Sequence, residues 1–202
     1  MQSLIKQNLR LDGRALLELR EVKIEKEGLN SIHFEVGGTI LTTKVIGPFD
    51  KPRSRNKLNI LVEGTQKNEE LSKVLVNIYD KFVILPENSS LDIFVDVKQE
   101  DGSLFVNIVN SITISLCCTG INMKELVFGM TVGLYGNNLI IDILENEESA
   151  GYLSYVFTEE ICVYLKSQNK ITELCFKKML HLADEHKMNV YEIYADFLRN
   201  LK

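Results

Sequence analysis

The chain has 202 residues, 45% hydrophobic and 25% charged, enough to bury a sizeable core within a single domain spanning 1–202. Its net charge of −5 and pI near 5.3 lack the basic excess of a free-standing nucleic-acid binder, so any such contact must come from a local patch. No apolar run reaches the roughly 20 residues that span a membrane, and MQSLIKQNLR has no signal-peptide core, so a soluble intracellular protein without membrane contact is expected.

An N-terminal arm runs to about Arg20. LNSIHFEV and TILTTKVI, joined through Gly37-Gly38, predict a β-hairpin whose second strand ends at Gly47-Pro48. The polar, basic loop FDKPRSRNK leads to the short strand LNILVE. Asn68 is expected to cap a helix with Glu69 and Glu70 in its first turn and Leu71, Val74, Leu75, Ile78 and Phe82 on its apolar side. LDIFVDVK alternates as a strand, with Leu91, Ile93, Val95 and Val97 inward. VNIVNSITISLCCTGI has the length of a buried helix ending at Gly120, although its Ile, Val and Thr content leans towards strand. LVFGMTVGLY and NLIIDIL predict two strands around Gly136-Asn137-Asn138, and YLSYVFT and EICVYLKS a further pair. From Thr172 the tail is helical, with Ile171, Cys175, Met179, Leu182, His186, Val190, Ile193 and Phe197 on one face. The order gives one mixed α/β domain without internal repeats.

Four cysteines, Cys117, Cys118, Cys162 and Cys175, show no metal-ligand spacing and are expected to be reduced thiols; no metal or other cofactor is expected. IIDILENEE, Ile140 to Glu148, concentrates Asp142, Glu145, Glu147 and Glu148 after a strand. Such acids suit leaving-group protonation or metal binding, and equally a solvated loop.

Several motifs together resemble the RNase PH superfamily. Arg10-Leu11-Asp12-Gly13-Arg14 followed by Glu18-Leu19-Arg20 is similar to its N-terminal signature. QEDGSLFVNIVNSITISLCCTGINM is similar to its central helix, and VGLYGNNLIIDILENEES to its acidic hairpin. The match runs in order along nearly the whole chain. VGLY and the paired Glu147-Glu148 resemble the branch of eukaryotic RNA exosome ring subunits most similar to the archaeal catalytic subunit.

That resemblance implies an RNase PH fold and a six-membered ring around a channel for single-stranded RNA. Other RNase PH-like subunits, RNA-binding cap subunits and a hydrolytic exoribonuclease would be partners, in the nucleus, including the nucleolus, and the cytoplasm. Active members cleave RNA 3′ ends by attack of inorganic phosphate. That chemistry needs cationic or amide donors for the phosphate and an acid or metal for the leaving oxygen. Where active members carry an arginine after the DGG motif, this chain has Phe105. Lys67 is the nearest match to a second arginine, beside Glu69 and Glu70, which would repel an anion. Asp142 matches the first family acid, and Glu148 stands where a shorter aspartate is common. The resemblance therefore implies a non-catalytic subunit in which Asp142, Glu148, Lys67 and Phe105 are remnants. An active phosphorolytic enzyme, with Asp142 as acid or metal ligand, is the alternative, and an unrelated α/β interaction module a third. Lys51, Arg53, Arg55 and Lys57 would contact RNA phosphates at the channel neck, a solvated basic loop being the alternative, and Arg10, Asp12 and Arg14 would order the arm through ion pairs or contact a neighbouring subunit.

Overall fold

The computed structural model describes residues 9–50, 57–136 and 138–200. Two antiparallel-rich sheets enclose one helix. The first sheet contains β1 (Val22–Lys26), β2 (Ser31–Val36), β3 (Thr39–Phe49), β4 (Leu58–Glu63) and β5 (Ser90–Gln99) in the order β1-β2-β3-β5-β4, with β4 parallel to β5. The second contains β6 (Phe128–Tyr135), β7 (Asn138–Ile141), β8 (Tyr152–Phe157) and β9 (Cys162–Gln168) in the order β7-β6-β8-β9. Helix α1 (Asn68–Tyr79) packs on β4. Helix α2 (Leu104–Cys118) lies between the sheets, touching β2, β3 and β5 on one side and β6 and β8 on the other. Helix α3 (Glu173–Asn200) covers the second sheet. Among the described residues, no helix is long and apolar enough to cross a membrane.

The central position of α2 explains its sequence. A helix packed on all sides needs no polar face, and every residue from Val106 to Leu116 is buried. Its β-branched content is overridden by this packing. Its polar side chains tie the layers together. The Asn110 amide brackets Gly129 of β6, donating to its carbonyl (3.0 Å) and accepting from its N–H (2.7 Å). The Tyr79 hydroxyl of α1 reaches the Val109 carbonyl (2.6 Å) and Thr113 (2.8 Å), while Ser111 pairs with Thr43 of β3. Gly120, at φ +73°, ends the helix as expected.

The hairpin forms with Val36 opposite Thr39, and Gly37 supplies the positive φ of +56° that the two-residue loop requires. Leu91, Ile93, Val95 and Val97 of β5 point into the core. Four expectations are corrected. Strand β3 continues through Gly47-Pro48 to Phe49, which re-pairs with Ser90 after a register shift. Lys67, not Asn68, is the N-cap of α1; the Asn68 side chain instead accepts from Thr65 N–H (3.1 Å), closing the preceding turn. Strand β7 stops at Ile141, because Asp142 adopts φ +51°, a left-handed conformation that breaks the extended run. The residues Glu145–Ala150 then form a 3₁₀ turn. On α3, Ile193 is 42% exposed, and Ala183, Tyr194 and Ala195 are buried in its stead. The Tyr194 ring stacks on Phe128 (centroids 5.0 Å apart), rotating the helix face towards the aromatic contact.

Gly102 fixes how the β5–α2 turn meets the acidic segment. It sits at φ +76°, and a Cβ there would lie 2.4 Å from the Leu144 carbonyl carbon and 2.5 Å from Glu145 N. Gly102→Ala is therefore expected to cost on the order of 2–4 kcal/mol, through backbone strain and a backbone clash that no rotamer relieves. Urea denaturation would measure this, and a change below about 1 kcal/mol would contradict the close approach.

Candidate functional site

The acidic segment is built against the N-terminal arm. Arg10, fully buried, donates Nε to Glu147 Oε1 (3.1 Å) and Nη2 to Glu147 Oε2 (2.5 Å). Its remaining donors reach the carbonyls of Ile141 and Asp142, both at 2.8 Å. Glu147 Oε2 also accepts Leu144 N–H (2.9 Å). Arg20 forms a two-pronged pair with Asp142, Nε to Oδ2 at 3.0 Å and Nη2 to Oδ1 at 2.6 Å, and its backbone N–H donates to the same Oδ2 (2.8 Å). Arg20 also donates to the Asp101 and Gly102 carbonyls. Arg14, held by Asp12 (2.5 Å), adds a donor 3.4 Å from Asp142 Oδ2. The arm's ion pairs thus form as the sequence suggests, and their partners are Asp142 and Glu147. Both oxygens of Asp142 are engaged, and its side chain faces the arm.

Glu145 and Glu148 turn the other way, into a cleft of about 750 Å³. Its floor is one face of β8–β9: Tyr152, Ser154, Tyr164, Lys166 and Gln168. Its walls are the starts of α1 (Lys67, Asn68, Glu70) and α2 (Ser103, Leu104, Phe105), with Gly64 and Glu100 at the strand ends. The Phe105 ring packs at 59° against Tyr164, centroids 5.3 Å apart. Glu148 Oε1 accepts Ser103 N–H (3.2 Å) at the head of α2, a place where backbone donors favour an anion. The carboxylate therefore occupies a position that an incoming phosphate could otherwise use. Glu70 is ion-paired with Lys166 (2.8 Å), which holds its carboxyl below the usual range. Four glutamates, Glu70, Glu100, Glu145 and Glu148, face two lysines, Lys67 and Lys166, among the described lining residues.

Lys67, Phe105 and Glu148 are thus brought together, whereas Asp142 stands behind the cleft in the arm's ion pairs. Lys57 is exposed at the start of β4, the strand end opposite Gly64. Lys51, Arg53 and Arg55 lie outside the described residues. Sequence reasoning missed Glu100, Ser154, Tyr164 and Lys166. The two-residue alternation of β9 places Tyr164, Lys166 and Gln168 on one face, but not which element that face meets. Among the described residues, no group of three His, Cys, Asp or Glu side chains is arranged to hold a metal ion.

Burial pushes the Glu148 carboxyl above the ordinary glutamate range. The Ser103 amide opposes this, and Glu100 and Glu145 add repulsion. Glu100 is likewise raised by burial and by Glu145. A raised carboxyl favours folding fully below its ordinary value and loses that contribution as pH rises through the folded value. Glu148→Gln, which keeps an acceptor for Ser103, is therefore expected to raise Tm near pH 7 by about 2–4 °C, and to have almost no effect near pH 4, where Glu148 is already protonated. Melting curves across this range would check it; an equal gain at both pH values would contradict the electrostatic origin.

No protein-family model matches the chain. It is 26% identical over 223 residues to exosome complex component Rrp41 of Thermoplasma volcanium, covering 96% of this chain and 90% of that protein. Its fold superposes on the crystal structure of rice Rrp46 with a TM-score of 0.82, at 19% identity, covering 95% of this chain and 98% of that one. It also superposes on a chain of the Archaeoglobus fulgidus exosome with RNA bound to the active site, with a TM-score of 0.73, at 18% identity and 96% and 95% coverage. The chain has the RNase PH-like fold of exosome subunits and, as its motifs suggest, is similar to exosome component Rrp41 along nearly its whole length.

Proposed function

We propose that the chain is a non-catalytic ring subunit of the RNA exosome. It acts as a scaffold and as part of a channel that guides single-stranded RNA 3′ ends to a separate hydrolytic nuclease, in both nucleus and cytoplasm. The carrying observation is the seat of Glu148. Its carboxylate takes the amide of Ser103, the residue that caps α2, Phe105 follows two residues later, and the cleft has more glutamates than lysines. Phosphorolysis requires a bound phosphate as nucleophile. An apolar ring donates nothing to it, and a net negative cleft repels it. Asp142 cannot serve as a free acid while Arg20 and Arg14 hold both its oxygens. Other RNase PH-like ring subunits, RNA-binding cap subunits and a hydrolytic exoribonuclease are the partners this reading proposes, and the similarity to exosome components supports the ring.

An active phosphorolytic exoribonuclease is the second reading. Its support is the meeting of Lys67 and Glu148 in one cleft, which leaves a cation and a carboxyl of raised pKa near each other. The chain, alone and assembled with its ring partners, is expected to release no nucleoside diphosphate from single-stranded RNA and phosphate. Release that disappears in Glu148→Gln would establish the second reading and overturn the first.

In this reading the basic loop carries the RNA contact. Lys51, Arg53, Arg55 and Lys57 would bind phosphates without reading bases. Arg53→Ala with Arg55→Ala is expected to weaken RNA binding by the assembled ring for every base sequence, with the slope of log affinity against log salt lowered by up to about 1.4, at about 0.7 per lost phosphate contact on a single strand. Salt titrations read this, and an unchanged slope would reject the loop as an RNA contact.

A further inference from the structure

The cleft that lacks the means to hold phosphate has a coherent chemistry of its own. Its carboxylates outnumber its lysines, and Lys166 is already engaged by Glu70. Glu100, Glu145 and Glu148 have no cationic hydrogen-bond partner among the described residues. Glu148 accepts from Ser103 N–H and is approached by the Tyr152 hydroxyl, which donates to Gln168 (2.6 Å). Ser154 is a separate observation. It is 2% exposed and lines the cleft floor, and its hydroxyl has no hydrogen-bond partner among the described residues. Opening onto the cleft without a protein partner, this hydroxyl leaves a donor and an acceptor free for a ligand. Beside it, Phe105 and Tyr164 form an aromatic wall.

We propose that this cleft receives an arginine side chain from an extended segment of a partner protein. Three features select that occupant. The excess negative charge rejects RNA and favours a cation. The aromatic wall suits a planar guanidinium, which stacks on rings better than a compact ammonium does. Five donors fixed in a plane match carboxylates on several sides of the cleft together with the Ser154 oxygen. Glu100 and Glu148, both destabilised as anions by burial and by neighbouring acids, gain from such a counter-ion. The inference rests on the non-catalytic reading of the cleft and supplies the partner chemistry that took the place of phosphate.

The test is calorimetric titration of the full chain with the peptide Gly-Arg-Gly-Arg-Gly-Arg, its lysine counterpart and a single-stranded RNA oligonucleotide. The arginine peptide is expected to bind more tightly than the lysine peptide. Binding should weaken about tenfold in Glu145→Gln/Glu148→Gln, as a desolvated charge pairing is lost, and about threefold in Phe105→Ala. Glu185→Gln on the outer face of α3 should leave it unchanged, and melting curves show that each variant is folded. Equal affinity of the arginine peptide for wild type and the double glutamine variant overturns the proposal. So does RNA binding that is lost in Phe105→Ala, which would make RNA the occupant. Nucleoside diphosphate release is read separately: peptide binding lost in the glutamine variant supports the arginine site, while diphosphate release would overturn the non-catalytic reading whatever the peptide does.

Discussion

The buried pairing of Arg10 with Glu147, continued by Arg20 with Asp142, sets the geometry on which the rest of the site depends. Charges removed from water require near-complete compensation. Breaking such a pair by removing one member typically costs about 3–5 kcal/mol, because the survivor is left unpaired. Here the compensation is extensive: Arg10 uses two prongs on Glu147 and two backbone carbonyls, while Asp142 accepts from Arg20, its backbone N–H and Arg14. The arginines also hold the carbonyls of Ile141, Asp142, Asp101 and Gly102. Arm, acidic segment and β5–α2 turn are consequently one electrostatic unit, and the left-handed conformation of Asp142 is sustained by it.

That unit decides which acids face the cleft. Glu147 is drawn inward by Arg10 and closes the Leu144 amide, which fixes the 3₁₀ turn. Its neighbour Glu148 must then point away and meets the Ser103 amide, while Glu145 joins it on the cleft side. Two adjacent glutamates thereby have opposite electrostatic fates. Glu147 is neutralised within the fold, whereas Glu148 is desolvated, capped by a neutral donor and repelled by Glu100 and Glu145, so its carboxyl is raised. The charge of the cleft is thus a by-product of the structural clasp.

The parts legible in the sequence are those with local periodicity. The hairpin at Gly37-Gly38, the alternation of β5 and the stop of α2 at Gly120 each follow from turn chemistry or a two- or four-residue step. Of the site, the resemblance named Lys67, Phe105 and Glu148, which meet in the cleft, but not the directions of the acids. Asp142, Glu145, Glu147 and Glu148 are consecutive acids in a segment without period, and their directions are set by Arg10 and Arg20, more than 120 residues away in the chain. Asp142 matches a family acid by position, yet its surroundings engage both its oxygens. Ile193 fits the helical stripe of α3, but the stacking of Tyr194 on Phe128 turns the buried face by about one residue. In each case a long-range contact outweighed the local pattern.

Charge is also divided along the length of β4. Lys57, the described end of the basic loop, precedes the strand, and Gly64, on the cleft, follows it. Six strand residues at about 3.3 Å each separate the two ends by roughly 20 Å, about two Debye lengths at physiological salt. Exposed charges at that separation are largely screened from one another. On the proposed reading, a polyanion bound at the Lys57 end of the strand would not compete with the acids at the other end, and a cationic partner segment in the cleft would leave that end free. On that reading, an overall acidic chain would combine an RNA-contacting loop with a cation-receiving cleft, because Lys57 and the cleft stand at opposite ends of β4.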